Sequence, residues 1–250
     1  MKTVRVAFAL FGGLLGLTRP ACGQTAAATG GLSAAVEAAQ RPYATAFASH
    51  SLLLNGPEYL DYTKRYHAST GFQYFLLPEK QAGTLTYNNR LFANLQLAYD
   101  VVLDQVVLSP PNSPLLLRLI NEKVSGFTLN EHRFVRLVAD SASGGVIRTG
   151  YYEVLFDGGL QLLAKRAKNM QERIAQPYIN VEFSPVDKLY LYKTGRYYAV
   201  ASKRSVLRLL ADHSKEMQKF SQERKLRFNS AEREGSIAQL VAYYAGLPPR

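Results

Sequence analysis

Four histidines and two short clusters of polar residues are the places in this sequence where chemistry is conceivable. The histidines are His50, His67, His132 and His213. No two of them lie within four residues of each other, so the local spacing of a zinc-binding pair is missing. The sequence contains no HExxH, GxSxG, Walker A or GxGxxG motif. We therefore expect neither a metal nor a cofactor.

One window has the residue types of a serine hydrolase. His132, Asp140, Ser141 and Ser143 precede Gly144-Gly145. A serine nucleophile needs a base and an orienting acid, and a glycine-rich turn can supply backbone donors to an oxyanion. The same run, Asp-Ser-Ala-Ser-Gly-Gly, is also built from the residues that hairpin loops use. We favour the loop and predict no catalytic residue in this window.

Asp100 and Asp104 are the second cluster, and they lie between apolar residues in a strand-like stretch. Two carboxylates can act as general acid and base, or bind calcium together with other oxygens. More often such residues face solvent on the outer side of a sheet or cap a bend. We favour this structural role for Asp100 and Asp104.

The first 23 residues have the pattern of a secretory signal that is removed. Two basic residues precede an apolar run over 6–17 that is too short to cross a bilayer. Ala21-Cys22-Gly23 then matches a signal-peptidase site before Gln24. The alternative is a lipoprotein signal acylated at Cys22, but the preceding Arg-Pro-Ala fits that signal poorly. The pattern predicts an exported protein, periplasmic or on the outer surface, whose mature chain lacks a thiol.

The composition is typical of a folded domain. Of the 250 residues 47% are hydrophobic, and 16 Tyr and 12 Phe provide large apolar side chains, which disordered tails lack. A single cysteine excludes a disulfide scaffold. The alanine-rich stretch 24–49 predicts a linker, and 50–250 is expected to form a single α+β domain.

The sequence predicts mainly β-strands over residues 50–200. Aromatic and β-favouring runs alternate with turn signals at Asn88-Asn89, at Asp157-Gly158-Gly159 and at 193–196. Runs at 52–54, 72–77 and 115–120 also favour strands, and 91–108 is long enough for two or three. Few helices intervene. The pattern predicts a mostly antiparallel β body, either a sandwich or an open barrel.

Residues 202–246 switch to a helical period and form a predicted C-terminal helical segment. The last helix is the clearest, because four apolar residues follow the spacing i, i+3, i+4, i+7: Ile237, Leu240, Val241 and Tyr244. Asn229, with Glu232 three residues on, is expected to cap this helix. Its apolar face is expected to pack on the β body.

The excess of positive charge in the predicted mature chain is confined to its last third. Residues 24–160 carry 10 basic and 11 acidic residues, whereas 161–250 carry 17 basic and 8 acidic residues. One interpretation is a solubilising face. The other is a surface for an anionic envelope component, a lipid headgroup or an acidic glycan. We place the candidate binding residues in two short basic runs: Lys165, Arg166, Lys168, Lys203 and Arg204. Nucleic acid is not expected as a partner, because no fingerprint of nucleic-acid binding accompanies the charge.

Four segments of the chain form a recognisable pattern: Asn55-Gly-Pro-Glu-Tyr59, Tyr99-Asp-Val-Val-Leu-Asp104, the run from Gly150 to Gly158, and the hairpin from Tyr190 to Lys203. In these segments the chain resembles a group of exported proteins of unknown function from Bacteroidota-type Gram-negative bacteria. The resemblance covers roughly 52–246. The resemblance implies that the protein is exported and that this stretch occurs as a single unit, and it carries over no catalytic residue.

These patterns favour a non-enzymatic exported protein that binds a partner or belongs to the envelope structure, the partner being an anionic component or another envelope protein. The alternative is a hydrolase acting on envelope polymers. An outer-membrane barrel is disfavoured, because the chain ends in polar-faced helices and its strand region lacks regular ten-residue lipid-facing segments.

Overall fold

Two β-sheets and three α-helices make up the part of the chain that the computed structural model describes, which is 51–140 and 144–248. The strands are β1 (Ala68–Thr70), β2 (Gln81–Tyr87), β3 (Arg90–Asp100), β4 (Gln105–Ser109), β5 (Leu117–Arg118), β6 (Val124–Leu129), β7 (His132–Leu137), β8 (Gly150–Asp157), β9 (Gln161–Lys165), β10 (Lys168–Ala175), β11 (Tyr178–Pro185), β12 (Lys188–Lys193) and β13 (Arg196–Val200). The helices are α1 (Lys203–Leu209), α2 (Ser214–Glu223) and α3 (Arg233–Ala245). The expected signal and linker, 1–23 and 24–49, lie outside the described residues.

The larger sheet confirms the predicted antiparallel β body. It has ten strands in the order β13-β12-β9-β8-β7-β6-β2-β3-β4-β5, and every neighbouring pair is antiparallel. Its two end strands do not pair with each other, so the sheet is open. The smaller sheet has the order β1-β11-β10, in which β1 runs parallel to β11.

The chain leaves the large sheet once and returns to it. It departs after β9, forms the β10–β11 ribbon of the small sheet, and comes back at β12, which pairs with β9. Arg166 lies in the outgoing connection and Asp187 in the returning one. The crossing between the sheets therefore brings these two residues close together.

The predicted tight turns are present, and their backbone dihedral angles explain which residue types occur there. Asn88 and Asn89 join β2 to β3 with φ of 49° and 60°, and Thr194 and Gly195 join β12 to β13 with φ of 49° and 78°. Two-residue hairpins favour positive φ at both central positions, which Asn and Gly adopt most readily.

The helical segment packs on one end of the large sheet, as predicted. Ile237, Leu240 and Val241 are fully buried, and they join a core cluster with Leu162 of β9 and Leu191 of β12. A second cluster, centred on the aromatic side chains of β3, β6, β7 and β8, fills the other half of the sheet. No helix of the described residues is both long and apolar enough to cross a membrane.

The predicted start of the last helix is displaced by a few residues. The side-chain oxygen of Asn229 accepts hydrogen bonds from the backbone N–H groups of Ala231 and Glu232, at 3.1 and 2.8 Å. This closes a separate turn, and α3 begins only at Arg233. Gly246 ends the helix, as expected.

Two expected strands are absent, and the three strands of the small sheet were not predicted. Residues 52–54 form turns, and 72–77 contribute only one isolated bridge, between Tyr74 and Asp100. Conversely β1, β10 and β11 were overlooked, because β1 and the outer part of the β10–β11 ribbon, 171–174 and 176–179, are exposed. A stretch exposed on both faces does not show the apolar alternation by which strands are recognised. Val181 and Phe183, towards the other end of β11, are buried.

Candidate functional site

A cleft of about 450 Å³ lies where the connections between the two sheets meet the start of α3. We call it the His132 cleft. It is lined by five apolar and five charged or titratable residues: Phe75, Leu76, Val101, Ala167 and Pro185, with His132, Arg166, Lys168, Asp187 and Glu234. Its size falls within the range of small-molecule sites.

Arg166 forms the polar wall of the cleft and is matched by three carboxylates. Its Nη1 lies 2.8 Å from Oδ2 of Asp187 and 2.6 Å from Oε2 of Glu234, and its Nη2 lies 2.7 Å from Oε1 of Glu234. Its Nε donates to Oε2 of Glu153. Burial alone lowers the pKa of Arg166, but the hydrogen bonds to Glu234 and Glu153 raise it above the usual value. Arg166 thereby ties α3 to both sheet connections.

His132 and Glu153 form a second pair in the same network. Nδ1 of His132 is hydrogen-bonded to Oε1 of Glu153, whose side chain is only 4% exposed. The imidazole ring packs edge-on against Phe75, with ring centroids 5.1 Å apart. A histidine oriented by a buried carboxylate is the arrangement that general bases use, but none of the residues that line the cleft is Ser, Thr or Cys.

The window with the residue types of a serine hydrolase, for which we favoured a loop, is not assembled around His132 in the described residues. The partner of its Nδ1 is Glu153 on β8, and not Asp140. Ser141 and Ser143 lie outside the described residues. Within those residues, no group of three or more His, Cys, Asp or Glu side chains could hold a metal ion.

Lys165 and Lys168, two of the predicted binding residues, are directed into the protein. Nζ of Lys165 lies 2.7 Å from Oδ2 of Asp104. Nζ of Lys168 donates to the carbonyl oxygens of Phe72 and Tyr74, at 2.8 and 2.6 Å. Burial lowers the pKa of both lysines. Together with Arg166, these residues have partners inside the chain, and binding of an anion to them stays a prediction.

Asp100 and Asp104 are engaged in structural contacts, and Asp100 caps a bend as expected. The Asp100 carboxylate is fully buried and accepts hydrogen bonds from the N–H groups of Val102 and Leu103, both at 3.0 Å, and from the hydroxyl of Tyr59 at 2.8 Å. Burial raises the pKa of Asp100, and these hydrogen bonds oppose the shift. Asp104 pairs with Lys165 instead.

Lys203 and Arg204 belong to a different surface, at the start of α1. Nζ of Lys203 lies 5.7 Å from the ring centre of Phe228, which places the beginning of α1 beside the loop that joins α2 to α3. That loop carries Arg224, Lys225 and Arg227. We call these five cations the basic face.

The charges of the basic face are not neutralised by the described residues. None of its five side chains forms an ion pair with them. Arg204, Arg224, Lys225 and Arg227 are exposed, and Lys203 is half-buried. Arg224, Lys225 and Arg227 border a depression of about 350 Å³ that contains one carboxylate, that of Glu232.

The structure thus divides the predicted binding residues between two places. Lys165, Arg166 and Lys168 lie at the junction of the sheets, whereas Lys203 and Arg204 lie on the helical segment. Sequence reasoning missed Glu153, a carboxylate with aromatic and aliphatic neighbours in β8, which was the one local signal for the His132 cleft. It also left Arg224, Lys225 and Arg227 out of the candidate site, although they precede the last helix as a visible basic run.

Comparisons with known proteins leave the family open. No family model matches the chain, and neither the curated proteins nor the solved structures contain a match. The resemblance to exported proteins of Bacteroidota-type bacteria therefore stays a prediction.

Proposed function

We propose that this chain is an exported, non-enzymatic binding protein of the bacterial envelope, and that it holds an anionic partner on the basic face. The observation that carries the proposal is the set of five clustered cations that form no ion pair with the described residues. Elsewhere in the last third of the chain, Lys165, Arg166, Arg173 and Lys193 each have a carboxylate partner. Other cations there, among them Arg196 and Lys215, also form no ion pair with the described residues, so the proposal rests on the clustering of the five cations. Cations held close together repel one another, and an anionic partner relieves that repulsion.

Export is the part of the proposal that rests on sequence alone. The n-region, short apolar run and small-residue site within 1–23 support it. In the periplasm or on the outer surface, the anions that such a face meets are lipid headgroups and acidic glycans, which are the partners we propose.

The test compares two variants with the same change in net charge. In the first, Arg224, Lys225 and Arg227 are all replaced by Gln. In the control, Lys64, Lys80 and Arg90 are replaced by Gln. These three are exposed and form no ion pair with the described residues, and they lie before β1, directly before β2 and at the start of β3, respectively. Binding is measured to phosphatidylglycerol and phosphatidylcholine vesicles and to acidic and neutral glycans.

We expect the mature protein to bind one anionic probe and neither neutral probe. A cation near an anionic surface contributes about 1 kcal/mol to binding. The variant that lacks the three cations Arg224, Lys225 and Arg227 should therefore bind the anionic probe about 100-fold more weakly. The control variant should bind like the natural protein. If both variants lose affinity equally, binding follows net charge alone, and the basic face is not the site.

The alternative of a hydrolase acting on envelope polymers has one supporting observation, the pairing of His132 with a buried carboxylate. Release of soluble fragments from an acidic glycan by the purified protein, abolished by His132→Gln, would favour it. Binding without release of fragments agrees with the non-enzymatic function.

A further inference from the structure

His132 lines the cleft, and only one of its two ring nitrogens, Nδ1, has a hydrogen-bond partner among the described residues. Both oxygens of Glu153 are taken, one by Nδ1 of His132 and one by Nε of Arg166. A carboxylate paired with a guanidinium is ionised and only accepts hydrogen bonds, so Nδ1 of His132 carries the proton. In the neutral ring Nε2 is then an acceptor, and no described residue donates to it.

The other polar groups of the cleft are satisfied within the chain. Arg166 is matched by Glu153, Asp187 and Glu234, and the ammonium group of Lys168 donates to two backbone carbonyls. The cleft is lined by two carboxylates, Asp187 and Glu234, and by two cations, Arg166 and Lys168, so its charges balance. Neither cation is left free to bind an anionic ligand, whereas a neutral hydrogen-bond donor would meet a free acceptor at His132.

The apolar wall of the cleft is held in an unfavourable backbone conformation. Leu76 has φ of 56°, and the N–H of Leu77 donates to the carbonyl of Phe75 at 2.7 Å, which closes a tight turn around Leu76. The left-handed region is unfavourable for a leucine, by roughly 1–2 kcal/mol. The side-chain amide of Gln81 donates to the same carbonyl at 3.0 Å and fixes the turn.

This strained turn presents an apolar side chain at the cleft. Leu76 lines the cleft but remains 51% exposed, so it is not used to fill the core. Backbone strain that surrounding contacts maintain is typical of ligand-binding sites, where it positions a side chain for contact with a ligand.

We propose that the His132 cleft binds a small uncharged molecule that combines an apolar group with an O–H or N–H donor. The donor is received by Nε2 of His132, and the apolar group lies against Phe75, Leu76 and Pro185. This site is separate from the basic face, so either proposal can fail without the other.

The test uses three probes of similar size on the mature protein: phenol, which has a donor; anisole, in which the donor is methylated; and benzoate, which is anionic. Binding is followed by NMR of the histidine ring nitrogens during a titration. We expect phenol to shift Nε2 of His132 in a saturable manner. One net hydrogen bond corresponds to about 2- to 10-fold in affinity, so anisole should bind that much more weakly and benzoate more weakly still.

Two variants locate the binding. His132→Phe should weaken phenol binding to the level of anisole, whereas His67→Phe should not change it, because His67 is exposed and stacks on Tyr178 outside the cleft. If His132→Phe fails to fold, Leu76→Ser provides the second test, since it removes apolar contact from the cleft and should weaken phenol and anisole alike. Phenol that leaves Nε2 of His132 unshifted, or that binds no better than anisole, overturns the proposal.

Discussion

Replacement of Arg166 by Met should destabilise the protein far more than the loss of an ordinary ion pair. The Arg166 side chain is only 11% exposed and is matched by three carboxylates, of which Glu153 is 4% exposed. Methionine keeps much of the length and apolar stem but leaves these carboxylates facing one another. Removal of one partner from a buried ion pair typically costs about 3–5 kcal/mol, and we expect the free energy of unfolding to fall by that amount.

The loss of stability in Arg166→Met is compared with the loss expected for an ion pair on the surface. Arg173 and Glu182 form an ion pair whose side chains are 62% and 38% exposed. Exposed pairs contribute about 0–1 kcal/mol, so Arg173→Met should fall in that range. Both variants are measured by urea unfolding with far-UV circular dichroism. A deficit no larger than that of Arg173→Met would refute this account of Arg166.

Four further outcomes are expected. Leu240→Ala should lower the free energy of unfolding by about 2–4 kcal/mol, because Leu240 is fully buried between α3 and the sheet; an unchanged urea midpoint would show that the helix is peripheral. Gly150→Ala should cost about 1–3 kcal/mol in the same assay, since Gly150 has φ of 153° and a Cβ there would lie 2.0 Å from a carboxylate oxygen of Asp104. Asp100→Asn should remove a pH-dependent contribution: the folded-state pKa of Asp100 is raised by burial, so its contribution to stability is present below the usual aspartate pKa and is lost as pH rises through the raised one. Urea midpoints over a pH series check this, and parallel curves for the two proteins would contradict it. Finally, intact-mass measurement of protein from a native-like host should give a chain that starts at Gln24, and a lipid-modified start two residues earlier would exclude it.

The parts of the fold that depend on local chemistry could be predicted from the sequence. The turn at Asn88-Asn89 is encoded by residues that tolerate positive φ. The stripe of Ile237, Leu240 and Val241 is encoded by helical spacing. In both cases the residues that decide the structure are within a few positions of each other.

The candidate sites depend on distant residues, and for that reason they were only partly predicted. Arg166 meets Glu234 across 68 positions of sequence, and His132 meets Glu153 across 21. Nothing local to Arg166 distinguishes it from an exposed arginine such as Arg204. The sequence therefore identified the basic runs, but only the fold separates the cations that are neutralised inside the chain from those that are not.

The central claim, that the basic face holds an anionic partner, is tested most directly by one salt titration. Binding of the mature protein to phosphatidylglycerol vesicles and to an acidic glycan is measured from low to physiological salt. Our account predicts that affinity for at least one probe falls steeply with salt, and that the Arg224, Lys225 and Arg227 to Gln variant shows a shallower dependence, because fewer cations contact the partner. Absence of binding at low salt, or binding with the same salt dependence in the variant, would contradict the claim.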